Sequence, residues 1–272
     1  VIFVVKSLTK KVRIQNQGVR IRSENMAGML ELKNLSKNFD AIHVINDFSL
    51  EVVERSLCCL VGPNGAGKTT TLDLITGRQV PSSGKIIFNK TDITSQTEQA
   101  ISRLGIGRKF QIPAIFKGLS VEQNLAVAHS IEVNPIKNIF SFSSKTYEAR
   151  MDEIADKVGL SHRLSEMAGN LSHGETQWLE IGMVLMQDPP LLLLDEPVAG
   201  MTEGEISKTV DILNDLKKVK TLIVVEHDMG FVRKIADVVT VMHMGSLLAE
   251  GTIEQIEKNK EVRNVYLGTE DK

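Results

Sequence analysis

The rhythm of apolar and polar positions changes along this chain, and each change predicts a different element. Leu30, Leu32 and Leu35 open an alternating segment and Ile45 to Val53 resumes one, as paired strands of a half-buried sheet do. Leu57, Cys58, Cys59, Leu60 and Val61 form an unbroken apolar strand, and Thr71, Leu72, Leu74 and Ile75 then take helical spacing. Pro81-Ser82-Ser83-Gly84 reads as a turn before a short strand over Lys85 to Phe88. From about 100 to 186 the composition is helical and strand-poor, with a polar insertion near Ser141 to Lys145. Apolar strands return at Leu191 to Leu194, Thr221 to Val225 and Val238 to Met242. Strands alternating with helices predict an α/β fold with a mainly parallel sheet covered on both faces. Antiparallel strands lie on its N-terminal side, and a helical subdomain is inserted over about 100–186.

Composition narrows the class. The chain has 272 residues, 42% of them hydrophobic, which is enough for one large α/β domain or two smaller ones. A net charge of −2 gives no basic field to favour nucleic acid. Cys58 and Cys59 are adjacent in an apolar strand, which suits neither a metal site nor a disulfide framework and favours a reducing compartment. No apolar run approaches the roughly 18–20 residues that span a bilayer, so any membrane work passes through partners. Residues 1–28 read as a flexible tail or a mis-assigned start. Val1 to Val5 is too short for a secretory signal, Lys6 to Arg22 is basic and patternless, and Met26 and Met29 offer later starts. The organised domain is expected over 29–272.

The chemistry starts after the first apolar strand. Gly62, Pro63, Asn64, Gly65, Ala66, Gly67, Lys68, Thr69 and Thr70 make a complete G-x-x-x-x-G-K-[ST] loop between a strand and a helix. Its glycines let backbone N–H groups converge on an anion, and the helix that follows adds about half a unit of positive charge. Lys68 is placed to reach the β- and γ-phosphates and Thr69 to ligate Mg²⁺, so the chain is expected to bind ATP with Mg²⁺. Leu191 to Leu194 ends in Asp195 and Glu196: the first suits Mg²⁺ through water, the second a general base for water. His227 follows another apolar strand and should reach the same sheet edge, where it can steady the γ-phosphate and the attacking water. Gln111 carries an amide that can coordinate Mg²⁺ or water. Ser172 and Glu175 form an S-x-x-E capping box, while the same helix end, with Ser172 and Gly174, is suited to phosphate.

In the order phosphate loop, glutamine, Ser-x-Gly helix, Asp-Glu strand and histidine, the chain from about Leu30 resembles the ATP-binding cassette (ABC) family. The resemblance implies two cassettes stacked head to tail, each ATP lying between one phosphate loop and the other subunit's helix at Leu171 to Glu175. It further implies that Phe39 stacks on adenine, that Gln111 senses the membrane subunit, that Glu196 is the catalytic base, and that the helical segment docks on an integral membrane permease. Gly105-Ile-Gly-Arg-Lys-Phe-Gln-Ile-Pro, Asp195-Glu-Pro-Val-Ala-Gly-Met-Thr, Val225-Glu-His-Asp-Met-Gly-Phe-Val and Val265-Tyr-Leu-Gly are similar to the branched-chain amino-acid and amide uptake branch. Leu171-Ser-His-Gly-Glu-Thr-Gln-Trp-Leu-Glu-Ile-Gly-Met looks most like its urea-transport members. The expectation is therefore a peripheral ATPase on the cytoplasmic face of the plasma (inner) membrane. It would energise urea or short-chain amide uptake with an extracytoplasmic solute-binding protein; a branched-chain amino-acid importer is the alternative. A soluble cassette working outside transport is the rival of another class, disfavoured by the single cassette and the absence of a strong basic tract. Near the γ-phosphate, His173 and Glu175 depart from the usual Leu-Ser-Gly-Gly-Gln, and Thr202 stands where Asp is common. These departures imply a second, non-identical cassette and two unequal sites.

Overall fold

A computed structural model describes residues 28–109, 115–129 and 145–267. Gln111, the tail before Gly28, the stretch Ile136 to Phe142 and the final Gly268 of the uptake-type carboxyl end lie outside the described residues. Among those described, β1 (Gly28–Phe39) and β2 (Ile42–Val53) pair as the alternation predicts, and β1 continues onto β4 (Ser83–Phe88) and β5 (Thr91–Asp92) in an antiparallel sheet of order β2-β1-β4-β5. The second sheet has the order β10-β9-β3-β8-β7-β6 and joins β3 (Leu57–Val61), β6 (Ile106–Lys109), β7 (Leu191–Asp195), β8 (Thr221–Glu226), β9 (Val238–His243) and β10 (Ser246–Gly251). All its neighbours are parallel except the β9–β10 hairpin.

The unbroken apolar strands follow from two cores. Leu57, Cys59 and Val61 of β3 face one, together with Leu192 and Leu194 of β7 and Leu222 and Val224 of β8. Cys58 and Leu60, Leu191 and Leu193, Ile223 and Val225 face the other. Period-two geometry thus sends every side chain into apolar surroundings. The second core is closed by the antiparallel sheet through Phe48 and Phe88, with α1 (Lys68–Ile75) between the layers. The first is closed by α3 (Val121–His129), α4 (Lys145–Lys157), α5 (His173–Met186), α6 (Glu203–Leu216) and α7 (Met229–Ile235). The short α2 (Glu98–Arg103) precedes β6, and α8 (Ile253–Lys258) and α9 (Lys260–Leu267) end the described chain.

The strand β6 lies inside the stretch expected to be helical. Ile106-Gly-Arg-Lys carries too little apolar residue to read as a core strand, yet it pairs in parallel with β7. Ion pairs make this possible: Arg108 and Lys109 are buried against carboxylates on either face of the sheet. Apart from the short α2, the helices described in that stretch therefore follow β6. The hairpin partner β10 was also hidden, because Ser246 to Gly251 is half-exposed and shows little alternation.

Candidate functional site

Parallel order brings the carboxyl ends of β3, β8 and β7 to one edge as immediate neighbours. An α/β sheet gathers ligands at such an edge. There the phosphate loop leaves β3, His227 leaves β8, and Asp195 and Glu196 leave β7. Gly65 and Gly67 take φ of 78° and 102°, in the region that disfavours a side chain. A Cβ on Gly67 would lie 2.6 Å from Ile45 Cδ1 and 3.0 Å from the Val44 carbonyl, so β2 fixes the loop from behind. Gly67 caps α1 with no side chain, which leaves the amide groups of the first helical turn directed at the loop. Pro63 is half-buried, Asn64 and Gly65 are exposed, Ala66 is buried and Thr70 half-buried.

Lys68 is buried and folds over the loop, donating to the carbonyls of Gly62 at 2.7 Å and Pro63 at 3.2 Å. Burial pushes its pKa down, and the carboxylates of Glu196, Asp195 and Glu226 pull it back up. Asp195 is 2% exposed and its carboxyl is pushed up by burial. Arg108 opposes that shift from 3.5 Å, and a hydrogen bond with the Thr69 side chain opposes it further. Arg108 also reaches Asp73 of α1 at 2.5 Å, so one guanidinium spans the helix after the loop and the carboxylate that ends β7.

Glu196 takes φ of 46°, rare for a non-glycine residue, at the turn out of β7. Its Oε1 lies 3.6 Å from His227 Nδ1, and the imidazole is well exposed. Glu226 lies beneath this pair. Its carboxylate is 1% exposed, accepts from the His227 N–H at 3.2 Å, and is pushed up by burial; its Oε1 has no hydrogen-bond partner.

The chemistry of the donors suits Mg²⁺. Asp195 Oδ2 is buried and accepts no hydrogen bond, and the Thr69 hydroxyl stands beside the same carboxylate. Hard oxygen donors of this kind, few in number, are what Mg²⁺ takes from a protein when phosphates supply the rest. Among the described residues no cluster of three or more His, Cys, Asp or Glu side chains could hold a metal alone.

Three predicted residues, Phe39, Ser172 and Gly174, stand apart from this edge. Phe39 ends β1, is 40% exposed, and carries the Lys37 ammonium 4.8 Å over its ring. Ser172 caps α5 in the expected box: the Glu175 N–H donates to Ser172 Oγ at 3.1 Å and the Ser172 N–H to Glu175 Oε2 at 2.9 Å. Glu175 is thus turned back into its own helix, where Arg163 holds it at 3.2 Å. Thr202 caps α6 in a second box with Glu205. His173 bonds the Ala199 carbonyl at 2.9 Å. Sequence reasoning passed over Arg108, Glu205 and Glu226; the T-x-x-E spacing of Thr202 and Glu205 was the available signal for the second.

Fold and edge together define a phosphate-loop ATPase. The chain belongs to the ABC transporter family, whose model matches residues 45–199, and its activity is ATP hydrolysis coupled to transport. It is 35% identical over 253 residues to the "Probable branched-chain amino acid transport ATP-binding protein LivG" of Archaeoglobus fulgidus, covering 89% of this chain and 96% of that one. The "High-affinity branched-chain amino acid transport ATP-binding protein LivG" of Escherichia coli K12 is 33% identical, over 88% and 98%. Among solved structures, the ADP conformation of MJ1267, an ATP-binding cassette of an ABC transporter, superposes with a TM-score of 0.80 at 28% identity, covering 89% of this chain and 99% of that one.

Proposed function

We propose that this chain is the ATP-hydrolysing subunit of an importer for branched-chain amino acids. The site reading is carried by one observation: loop, Asp195, Glu196 and His227 leave three adjacent parallel strands at one edge. Gly62 to Thr70 would cradle the phosphates, with Lys68 exchanging its loop carbonyls for phosphate oxygens. Thr69 and Asp195 would hold Mg²⁺, joined by Gln111. Bound there, Mg²⁺ supplies positive charge that offsets charge developing on the phosphates. Glu196 would take a proton from the attacking water, while His227, 3.6 Å away, orients it and donates to the departing charge. Phe39 offers an exposed ring for adenine. Ser172 and Gly174 would contact the phosphate of an ATP held by a second cassette.

The solute follows the relatives' printed names over 88–89% of the chain. The urea reading rests on the stretch Leu171 to Met183 alone. The described residues contain no helix long and apolar enough to cross a membrane, so the subunit would sit on the cytoplasmic side of integral permease subunits, contacting them through the helical segment. A solute-binding protein would act across the membrane, and no nucleic acid is involved. The second cassette is proposed to be non-identical, on the departures at His173, Glu175 and Thr202; equal hydrolysis at both sites would remove that proposal.

Uptake of labelled leucine and labelled urea tests the solute, comparing the native chain with Glu196→Gln. The variant should lose leucine uptake, keep ATP binding, and turn over ATP about 10²–10⁴-fold more slowly. Loss of urea uptake alone would transfer the assignment to urea, and unchanged uptake of both would remove the importer reading.

A further inference from the structure

The N-terminal end of α5 already holds an anion from its own chain. Glu205 Oε1 accepts the Ser172 hydroxyl at 2.8 Å and the Gly174 N–H at 3.1 Å. Its other oxygen accepts the Thr202 N–H at 2.9 Å and the Thr202 hydroxyl at 3.0 Å. One carboxylate thus bridges the positive ends of two helices, α5 and α6, through four donors. The seat is shaped for it: a Cβ on Gly174 would lie 2.5 Å from both Cδ and Oε1 of Glu205. These contacts hold the Glu205 carboxyl below its ordinary 4.5, the Thr202 backbone bond contributing most and Ser172 next.

We propose that Glu205 is a resident occupant of the phosphate-reading end of α5, which an ATP presented by a second cassette must displace. This rests on the reading of Ser172 and Gly174 as phosphate contacts. Two anions cannot share the Ser172 hydroxyl and the Gly174 N–H, so engagement of phosphate moves the Glu205 side chain away. The displaced carboxylate belongs to the segment that follows Glu196, and that segment is also tied to α5 by the bond from His173 to the Ala199 carbonyl. Reading a phosphate at α5 therefore loosens the same segment that leads out of this chain's own hydrolytic turn. Glu205 is a positioning residue: it acts on Ser172 and Gly174, and it sets the ATP concentration at which two cassettes close.

The test follows ATP-driven association of the full-length chain carrying Glu196→Gln, by light scattering, alone and with the cassette that co-purifies with it. Adding Glu205→Gln should lower the ATP concentration for half-maximal association roughly tenfold, equivalent to about 1.4 kcal/mol. Binding of a fluorescent ATP analogue to the separated chain should not change. Glu203→Gln, which removes an exposed carboxylate from the same turn of α6 and leaves Ser172, Gly174, Thr202 and Glu205 in place, should not lower that concentration. An unchanged or higher concentration with Glu205→Gln overturns the inference, as does an equal fall with Glu203→Gln. Ser172→Ala separately tests the underlying reading: it should abolish association. If Ser172→Ala associates like its parent, or the parent does not associate with ATP in either setting, the phosphate reading fails and the inference goes with it.

Discussion

Replacing Lys109 with methionine should destabilise the fold by an amount that the geometry sets. Its ammonium lies 3.3 Å from Glu180 Oε2 of α5, with the two side chains 1% and 6% exposed. At an effective dielectric of about 20 that separation corresponds to about 5 kcal/mol of attraction. Removing the lysine takes the opposite charge away from a buried carboxylate, and breaking such a pair costs about 3–5 kcal/mol. With an m-value of about 3 kcal/mol/M, the urea midpoint should fall by about 1 M or more. Replacing both partners, Lys109→Met with Glu180→Leu, removes both buried charges together and should return stability to within about 1 kcal/mol of the parent. Equilibrium unfolding of the parent, both singles and the double closes the cycle. A single-variant cost below about 1 kcal/mol, or a double no better than the worse single, would refute the picture of a desolvated pair pinning β6 to α5.

The phosphate loop offers a steric test. Gly67→Ala meets both a φ of 102° and a 2.6 Å contact with Ile45, so it should lower thermal stability by about 1–3 kcal/mol and weaken binding of a fluorescent ATP analogue; unimpaired binding would count against the loop geometry. Glu226 gives a pH test with a definite sign. Its folded-state carboxyl is raised by burial, so its favourable contribution is complete below the unfolded value and is lost as pH rises through the folded one. Glu226→Gln should therefore gain on its parent, on the order of 1 kcal/mol, between pH 4 and pH 8; a pH-independent difference in melting temperature would contradict the assignment.

What could be read in advance was whatever a repeating pattern or a fixed spacing encodes. The strand Leu57 to Val61, the loop after it and the capping box at Ser172 all have local signatures, and each stands where the sequence puts it. The strand Ile106–Lys109 does not, because two cations at its end are made acceptable by carboxylates from Asp73, Glu180 and Asp195, far away in the chain. Periodicity cannot register a partner that lies tens of residues off. Glu205 is a similar case: its spacing from Thr202 announces a cap, while its bonds to Ser172 and Gly174 exist only once α5 and α6 are packed. The solute is less legible still, since the strands that place the ATPase site carry no group that need meet it.

The central position of β3 also fixes when this protein can fold. Its partners on both sides come from the far end of the chain: the Arg55 N–H just ahead of it donates to Thr221, 166 positions on, and the Leu57 N–H to Asp237, 180 positions on. During synthesis the apolar segment Leu57-Cys-Cys-Leu-Val leaves the ribosome long before β8 and β9 exist to cover its edges. Parallel pairing across such separations is slow, and an unpaired apolar strand is prone to wrong partners meanwhile. The antiparallel layer of β1, β2 and β4 is complete by Phe88 and can form first, shielding one face. The nucleotide edge is therefore among the last things to be made, and a truncated chain ending before Thr221 holds the whole phosphate loop without the neighbouring strand that completes it.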